Sequence, residues 1–391
     1  MRRGAFLAEL APRFMDSLSQ IVLGASVAEV VVGRKVGNQA ILWGAIAGTL
    51  PDLDVISNAW LSEFAAMSSH RGFTHSLLFC VLAAPVLGWI IHRIYAPGQR
   101  KQEERLQKLA AEGGVLDMER PSIKLKGYAS RYNWSMMAFW VFLTHIALDC
   151  CTTWGTMVFW PSDFRVTTNS IFVADPLYTV PFMIFLIAAM FYNRRRKARR
   201  VLNYTGLVLS TFYLSLGLVN KARVNPVFER SFAAQDMPVI RYESRPAPLN
   251  ILLWMCSAET EEGIYLGFYS VMDEDEEIAY RYFPKQHALL GDYASHPDVK
   301  KIIHMSDDYY VVREGDDGLE IYDLRFGLMS GWDGQGDEDF VFRYDLIGSP
   351  TDLLVDVSDP PQPDSEEAAE FLSLFYRRIM GDKTASIDGS K

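Results

Sequence analysis

Long apolar runs separated by short basic clusters dominate the first half of the chain. Residues 76–95, SLLFCVLAAPVLGWIIHRIY, stay apolar up to a basic end, and Pro85 is tolerable in a helix packed within a bundle. Residues 177–193 stop abruptly at Arg194-Arg195-Arg196-Lys197, and a further apolar run covers 201–219. A shorter run, 134–149, carries His145 and Asp149 near its end. Residues 17–50 break at Gly33-Arg34-Lys35-Val36-Gly37-Asn38, which predicts two helices joined by a turn. The second of these is short for a span and could be re-entrant.

Beyond residue 222 the period changes. GIYLGFYSV (263–271), YYVVRE (309–314), GLEIYDLRF (318–326) and DFVFRYDLI (339–347) alternate as strands do, and a helix is expected at about 365–380. The expected fold is an α-helical polytopic membrane bundle of about four to six hydrophobic helices over residues 15–221. A small α+β domain with an antiparallel sheet follows over 222–391.

Charge sharpens this division. Of the 48 Asp and Glu, 34 lie beyond residue 221, whereas the basic groups concentrate before it. The stretch 93–131 is rich in Arg and Lys, and 194–200 is basic at six of seven positions, so both should face the cytoplasm. Threading the runs between these anchors sends Asp52, Asp54, His70, His75, His145, Asp149 and Asp175 to the opposite face, with the acidic domain. The basic loops are thereby explained by topology, and no nucleic-acid partner is implied. The four cysteines have neither the spacing of a disulfide framework nor that of a Cys-based zinc site. The first fourteen residues lack the apolar core of a cleavable signal, and the organised pattern begins at Met15. P-loop, dinucleotide and GxSxG patterns are absent.

Candidate chemistry lies in three segments. His145 and Asp149, four apart on one helix, project from one face and can reach one ion. An imidazole with a carboxylate suits zinc, manganese or iron. Asp52 and Asp54 flank Leu53 just past an apolar helix; Asp52 could ligate while Asp54 orients a ligand or binds a second ion. His70-Arg71-Gly72-Phe73-Thr74-His75-Ser76 offers two imidazoles, a guanidinium and two hydroxyls at a helix start, where an anion is also favoured. Each piece alone has an ordinary reading: a buried hydrogen-bonded pair, loop carboxylates, or a Thr74 or Ser76 cap. Together they differ, because an ionisable group within or beside a span costs about 2.5–3.5 kcal/mol. Several at one depth require compensation, and a metal supplies it.

Other residues fit ordinary roles. Asp175 before Pro176 reads as a helix cap, with a general base as the lesser reading. Glu29 should pair with a neighbouring helix or with Arg34 or Lys35. Trp154, Phe159 and Trp160 suggest an interfacial belt. His92 abuts the wrong side, His287, His296 and His304 read as surface residues, and Asp273–Glu277 reads as a solvated turn rather than a calcium loop.

The segments MDSLSQIVLGASVAEVVVGRKVGNQAILWGAIAGTLPDLDV, HRGFTHSLLF, THIALDCCTTWGT and FVADPLYTVPF resemble the bacterial membrane-bound metal-dependent hydrolase family, whose LexA-regulated inner-membrane members carry the name hydrolase. The resemblance covers about residues 15–220. More remotely, that family is similar to zinc-dependent phospholipase C and related single-strand nucleases, which hold a zinc cluster with a His-x-x-x-Asp pair on one helix. By that resemblance His145 and Asp149 match the pair, Asp52 a bridging carboxylate and His70 an earlier ligand. Where many relatives carry a His in the first helix this chain has Gln20, a poor zinc ligand, so one or two ions are expected rather than three.

The expectation is a multi-pass protein of the bacterial inner membrane, with its site and acidic domain on the periplasmic side. It would act as a metal-dependent hydrolase on a membrane lipid or other phosphoester. The expected ligands are Asp52, Asp54, His70, His75, His145 and Asp149, holding zinc or, alternatively, manganese. Asp54 would take a proton from water and Arg71 would stabilise developing negative charge. The alternative is a non-catalytic scaffold with a structural metal and an unspecified protein partner for its outer domain; a transporter ranks behind both, for want of inverted repeats.

Overall fold

The computed structural model describes residues 3–59, 63–111, 127–172, 174–315, 318–328, 332, 340–358 and 365–385. Helix α1 (Arg3–Val36) ends at Gly37, whose φ of 66° lets the chain reverse at once into α2 (Asn38–Thr49). The turn therefore falls within the predicted break. The two helices pack closely because their contact is lined with glycine. A Cβ on Gly44 would stand 2.4 Å from the Gly24 carbonyl oxygen, and one on Gly48 would stand 2.5 Å from that of Gln20. With twelve residues, α2 is about 18 Å long, too short to cross a bilayer.

A 3₁₀ segment, Pro51–Ala59, carries Asp52 and Asp54 away from α2. Helix α3 (Glu63–Ser69) and a 3₁₀ turn at Phe73–His75 lead into α4 (Leu77–Ala111). Then come α5 (Arg131–Asp149), α6 (Pro176–Met190) and α7 (Lys197–Ala234). Among the described residues, three stretches are long and apolar enough to cross a membrane: Ser17–Val36, Leu77–Lys108 and Lys197–Ala234; α6 is apolar but shorter. Val81, Leu82 and Val86 on α4 are exposed, an apolar stripe suited to lipid. Part of the basic stretch expected as a loop, up to Ala111, continues α4; residues 112–126 lie outside the described residues.

Helix α7 runs through residue 221 without a break, and Val224, Val227, Phe228 and Phe232 pack against the sheet residues Trp254, Cys256 and Ala258. The acidic region forms two antiparallel four-stranded sheets rather than one. The first is β1 (Arg241–Pro246), β2 (Leu253–Glu259), β3 (Gly263–Ser270) and β4 (Tyr280–Pro284), joined in sequence order. After α8 (Pro297–Met305), the second comprises β5 (Tyr310–Glu314), β6 (Gly318–Asp323), β7 (Arg343–Ser349) and β8 (Asp352–Ser358). Helix α9 (Ser365–Ile379) closes the fold. The run expected as a strand from 339 pairs regularly only from Arg343. Asp339 lies outside the described residues, and Phe340 makes an isolated bridge to Leu328.

The turn at Asp273–Glu277 is present and exposed from Glu274 to Glu277, with three of its carboxylates paired. Asp273 is buried in a bidentate pair with Arg378 that pins α9, while Asp275 meets Lys383 and Glu276 meets Arg230. Aromatic contacts also seat the outer sheets against the helical part. Phe64 of α3 packs edge-on to Tyr344 of β7, and Trp154 lies against Phe326 and Phe342. Trp154 thus departs from the expected interfacial belt, whereas Phe159 and Trp160 are exposed.

Candidate metal centre

Four predicted donors meet where α2, α5 and the turn before α4 converge: Asp52, His75, His145 and Asp149. His75 Nε2 lies 3.1 Å from Asp52 Oδ1, 3.3 Å from Asp149 Oδ2 and 3.2 Å from His145 Nε2. His145 Nε2 lies 3.4 Å from Asp52 Oδ1 and 3.3 Å from Asp149 Oδ2. A tetrahedral zinc with bonds of about 2.0–2.1 Å sets ligand–ligand edges of about 3.3–3.4 Å. Five of the six separations in the donor set, at 3.1–3.4 Å, lie close to that figure, and the chemistry suits zinc too.

Hydrogen positions strengthen the case. His145 Nδ1 is 2.8 Å from the Gly48 carbonyl, which only accepts, so Nδ1 carries a hydrogen, and in the neutral ring that a metal requires Nε2 is bare. The Thr74 hydroxyl donates to Asp54 Oδ2 at 3.1 Å and therefore accepts from His75 Nδ1 at 3.0 Å. His75 Nε2 is bare too. Asp149 Oδ1 takes hydrogen bonds from Gln20 at 2.8 Å and faces Arg71 at 3.4 Å, whereas the buried Oδ2 has no hydrogen-bond donor. With both rings neutral, four lone-pair donors confront one another. A single added proton could serve one acceptor, whereas an ion serves all four.

The carboxylates beside these rings are held ionised. Burial alone would raise the Asp52 carboxyl, but the His145 and His75 imidazoles outweigh it and hold the group far below the carboxylate range. Burial likewise opposes ionisation of Asp54, and the His70 hydrogen bond reverses it. Burial pushes His75 down, towards the neutral imidazole a metal requires.

Asp54 and His70 stand one layer behind the four donors. His70 Nδ1 lies 2.8 Å from Asp54 Oδ1, and Asp54 Oδ2 also accepts the Arg71 backbone N–H at 3.1 Å. From there Asp54 orients His75 through Thr74, the arrangement by which carboxylates set ligating imidazoles. Arg71 is buried in a left-handed conformation, φ 59°, with Nη1 donating to the Thr152 hydroxyl at 2.7 Å. Ser76 caps α4 by accepting from Phe79 N–H, and Asp175 caps α6, accepting from Leu177 N–H and from the Tyr213 hydroxyl. Glu29 pairs with Arg199 of α7 and takes no part in the centre. His287 and His296 are half-buried rather than surface residues: His287 stacks on Tyr310 at 3.8 Å and His296 caps α8. His304 is exposed.

Sequence reasoning left Gln20 unassigned once it was set aside as a ligand, and gave no role to the Gly48 carbonyl or Thr152. Gln20 had a signal, a single amide in an apolar helix; a backbone carbonyl leaves none.

The family model described as YdjM inner membrane protein matches residues 15–224, which include every residue of this centre. No curated protein and no solved structure matches the chain.

Proposed function

The chain belongs to the YdjM inner membrane protein family, and from the centre it carries there we propose a metal-dependent hydrolase of the bacterial inner membrane. The observation that carries this reading is the convergence of Asp52, His75, His145 and Asp149 on one another at ligand-to-ligand distances. Those four would hold one divalent ion, zinc by preference for a tetrahedral N₂O₂ set and manganese as the alternative. Bound there, such an ion supplies Lewis acidity towards water and an ester oxygen. Asp54, ionised and adjoining the site, would receive a proton, and His70 beside it would stabilise or relay that proton. Arg71 would counter negative charge as it develops and keep Asp149 oriented. The substrate class is a membrane lipid or another phosphoester. By the positive-inside argument the helices cross several times, and the centre and acidic region face the periplasm.

One observation favours a second reading. Four protein donors, of which only Asp52 is appreciably accessible at 19% side-chain exposure, resemble the closed coordination of a structural site. The family member would then be a scaffold whose metal fixes the outer domain for a protein partner. Elemental analysis of the detergent-purified chain beside a His145→Ala/Asp149→Ala double variant tests the common premise. One equivalent of metal lost in the variant supports the site; its absence from both, even after reconstitution, defeats each reading. Hydrolysis of phosphoester substrates by the metal-loaded chain alone then separates enzyme from scaffold.

A further inference from the structure

A second chamber, of about 210 Å³, lies between the segment following α5 and the outer sheets. Three guanidinium groups line it, from Arg165, Arg245 and Arg325, beside Trp154, Tyr309 and Glu243. Their partners are unequal. Arg325 is neutralised by Asp323 in a paired contact of 2.6 Å. Arg165 donates through Nη2 to the carbonyls of Ser68 and His70, at 3.3 and 3.0 Å, and its buried Nη1 has no partner. Arg245, 3% exposed, leaves both Nε and Nη1 without partners and reaches the Ser257 hydroxyl only at 3.5 Å. Of the three carboxylates that line the chamber, Glu243 is engaged by Lys221 at 3.0 Å and Asn169 at 2.6 Å, Asp307 faces Arg241 at 3.5 Å and Asp163 faces His304 at 3.6 Å. Among the described residues, neither Arg165 nor Arg245 has a carboxylate within salt-bridge distance.

Buried guanidinium nitrogens without acceptors are costly, and a buried charge without a counter-ion is costlier still. Water filling the chamber would satisfy the N–H groups but leave the charge unmatched. Burial and the neighbouring Arg325 and Arg71 press Arg165 down to about 10, so it stays cationic at neutral pH. An oxyanion with several oxygens is the missing component, since planar guanidinium forks bind phosphate oxygens in pairs.

We propose that this chamber binds a phosphate group through Arg165 and Arg245. It is distinct from the metal centre but joined to it by one side chain: Arg165 holds the His70 carbonyl, and the His70 ring bonds Asp54. As a phosphate site the chamber stands without any metal; as the subsite that seats the substrate's charged group it rests on the hydrolase reading. The phosphate is either the headgroup of a lipid, for which exposed Phe159, Trp160 and Phe164 provide an apolar approach, or part of a soluble compound.

Calorimetric titration of the full chain in detergent with inorganic phosphate and, separately, with short-chain phosphatidic acid tests this. Both probes should bind wild type, and R165Q and R245Q should each weaken binding about tenfold or more, roughly the loss of one charge-assisted hydrogen bond. Tighter binding of phosphatidic acid identifies a lipid headgroup; equal binding identifies the phosphate group alone. The His145→Ala/Asp149→Ala variant should keep phosphate binding, so failure of the metal reading leaves this result intact. Thermal unfolding controls for folding: phosphate should raise the midpoint of wild type but not of R245Q, whose own midpoint should equal or exceed that of phosphate-free wild type. Absence of binding by either probe, affinity unchanged in both arginine variants, or a lowered R245Q midpoint unresponsive to phosphate in wild type too would overturn the proposal.

Discussion

His75 and His145 present their Nε2 atoms to each other at 3.2 Å, each ring having committed its Nδ1 hydrogen to an oxygen elsewhere. Two bare imidazole nitrogens beside two carboxylate oxygens are mutually repulsive unless a metal ion or a proton joins them. Chelation should therefore do more than remove an ion. It should lower the thermal midpoint of the detergent-solubilised chain by about 5 °C or more, the usual consequence of withdrawing a ligand held well above its dissociation constant. Scanning with and without chelator measures it, and an unchanged midpoint in a metal-containing preparation would place the ion elsewhere.

Gln20 and Asp54 touch ligands rather than the ion, from opposite sides. Gln20 holds Asp149 Oδ1, so that Oδ2 turns inward, and Asp54 anchors the Thr74 hydroxyl that fixes the His75 tautomer. Gln20→Ala and Asp54→Asn should each weaken metal affinity by about 10–100-fold without abolishing it. Competition against a chromophoric chelator reads this directly. Complete loss in Asp54→Asn would make Asp54 a ligand.

The Gly48 carbonyl that meets His145 lies on α2, which packs against α1 more closely than side chains permit. A Cβ on Gly44 would stand 2.4 Å from both the Ala28 Cβ and the Gly24 carbonyl oxygen. Gly44→Val should force the helices apart at a cost of about 1–3 kcal/mol or more. The expected outcome is a lower midpoint together with reduced metal content, though no ligand has changed. Full metal retention in a folded Gly44→Val protein would show that the carbonyl is not what orients His145.

Much of this arrangement was legible in the sequence, for particular reasons. The i, i+4 spacing of His145 and Asp149 and the capped start of α6 at Asp175 are local, and local periodicity survives folding. The Gly37 turn was legible because only glycine reverses a helix so sharply. The separation of Asp52 from Asp54 into different layers was not, because it depends on the 3₁₀ path after Pro51 and on which oxygen Thr74 meets. Strands β1 and β2 were missed for opposite causes: RYESRP is too polar to alternate, while LWMCSAE is buried on both faces and does not alternate either. The arginine chamber arises from distant segments, with Arg165 after α5, Arg245 in β1 and Arg325 after β6, which no single window contains.

Arg199 clasps Glu29 through two contacts of 2.6 Å, with both side chains almost wholly buried between α1 and α7. Such a pair contributes little net stability, but breaking it leaves a buried charge. Glu29→Gln should destabilise the chain by about 3–5 kcal/mol, whereas Glu29→Leu/Arg199→Leu should recover most of that loss. Thermal midpoints of the two variants compare directly; a double variant no better than the single would mean that the pair's hydrogen bonds to Asn38 and Tyr192 matter more than its charge.

Glu259 of β2 sits between Arg241 and Lys285, the latter 2.6 Å away. Burial would raise its carboxyl, yet these two cations outweigh it and hold the group below its ordinary 4.5. A carboxyl depressed in the folded state binds fewer protons there than in the unfolded chain. Its contribution is complete above pH 4.5 and is lost progressively as the pH falls towards the folded value. The thermal midpoint of wild type should thus fall on acidification through that window more steeply than that of Glu259→Gln, which has no proton to take up. At neutral pH the order reverses in its consequence: Glu259→Gln should unfold at the lower temperature, because Arg241 and Lys285 then face each other without a carboxylate. Parallel pH profiles for the two proteins would mean that solvent already screens the triad and that the outer sheet draws its acid sensitivity from other carboxylates.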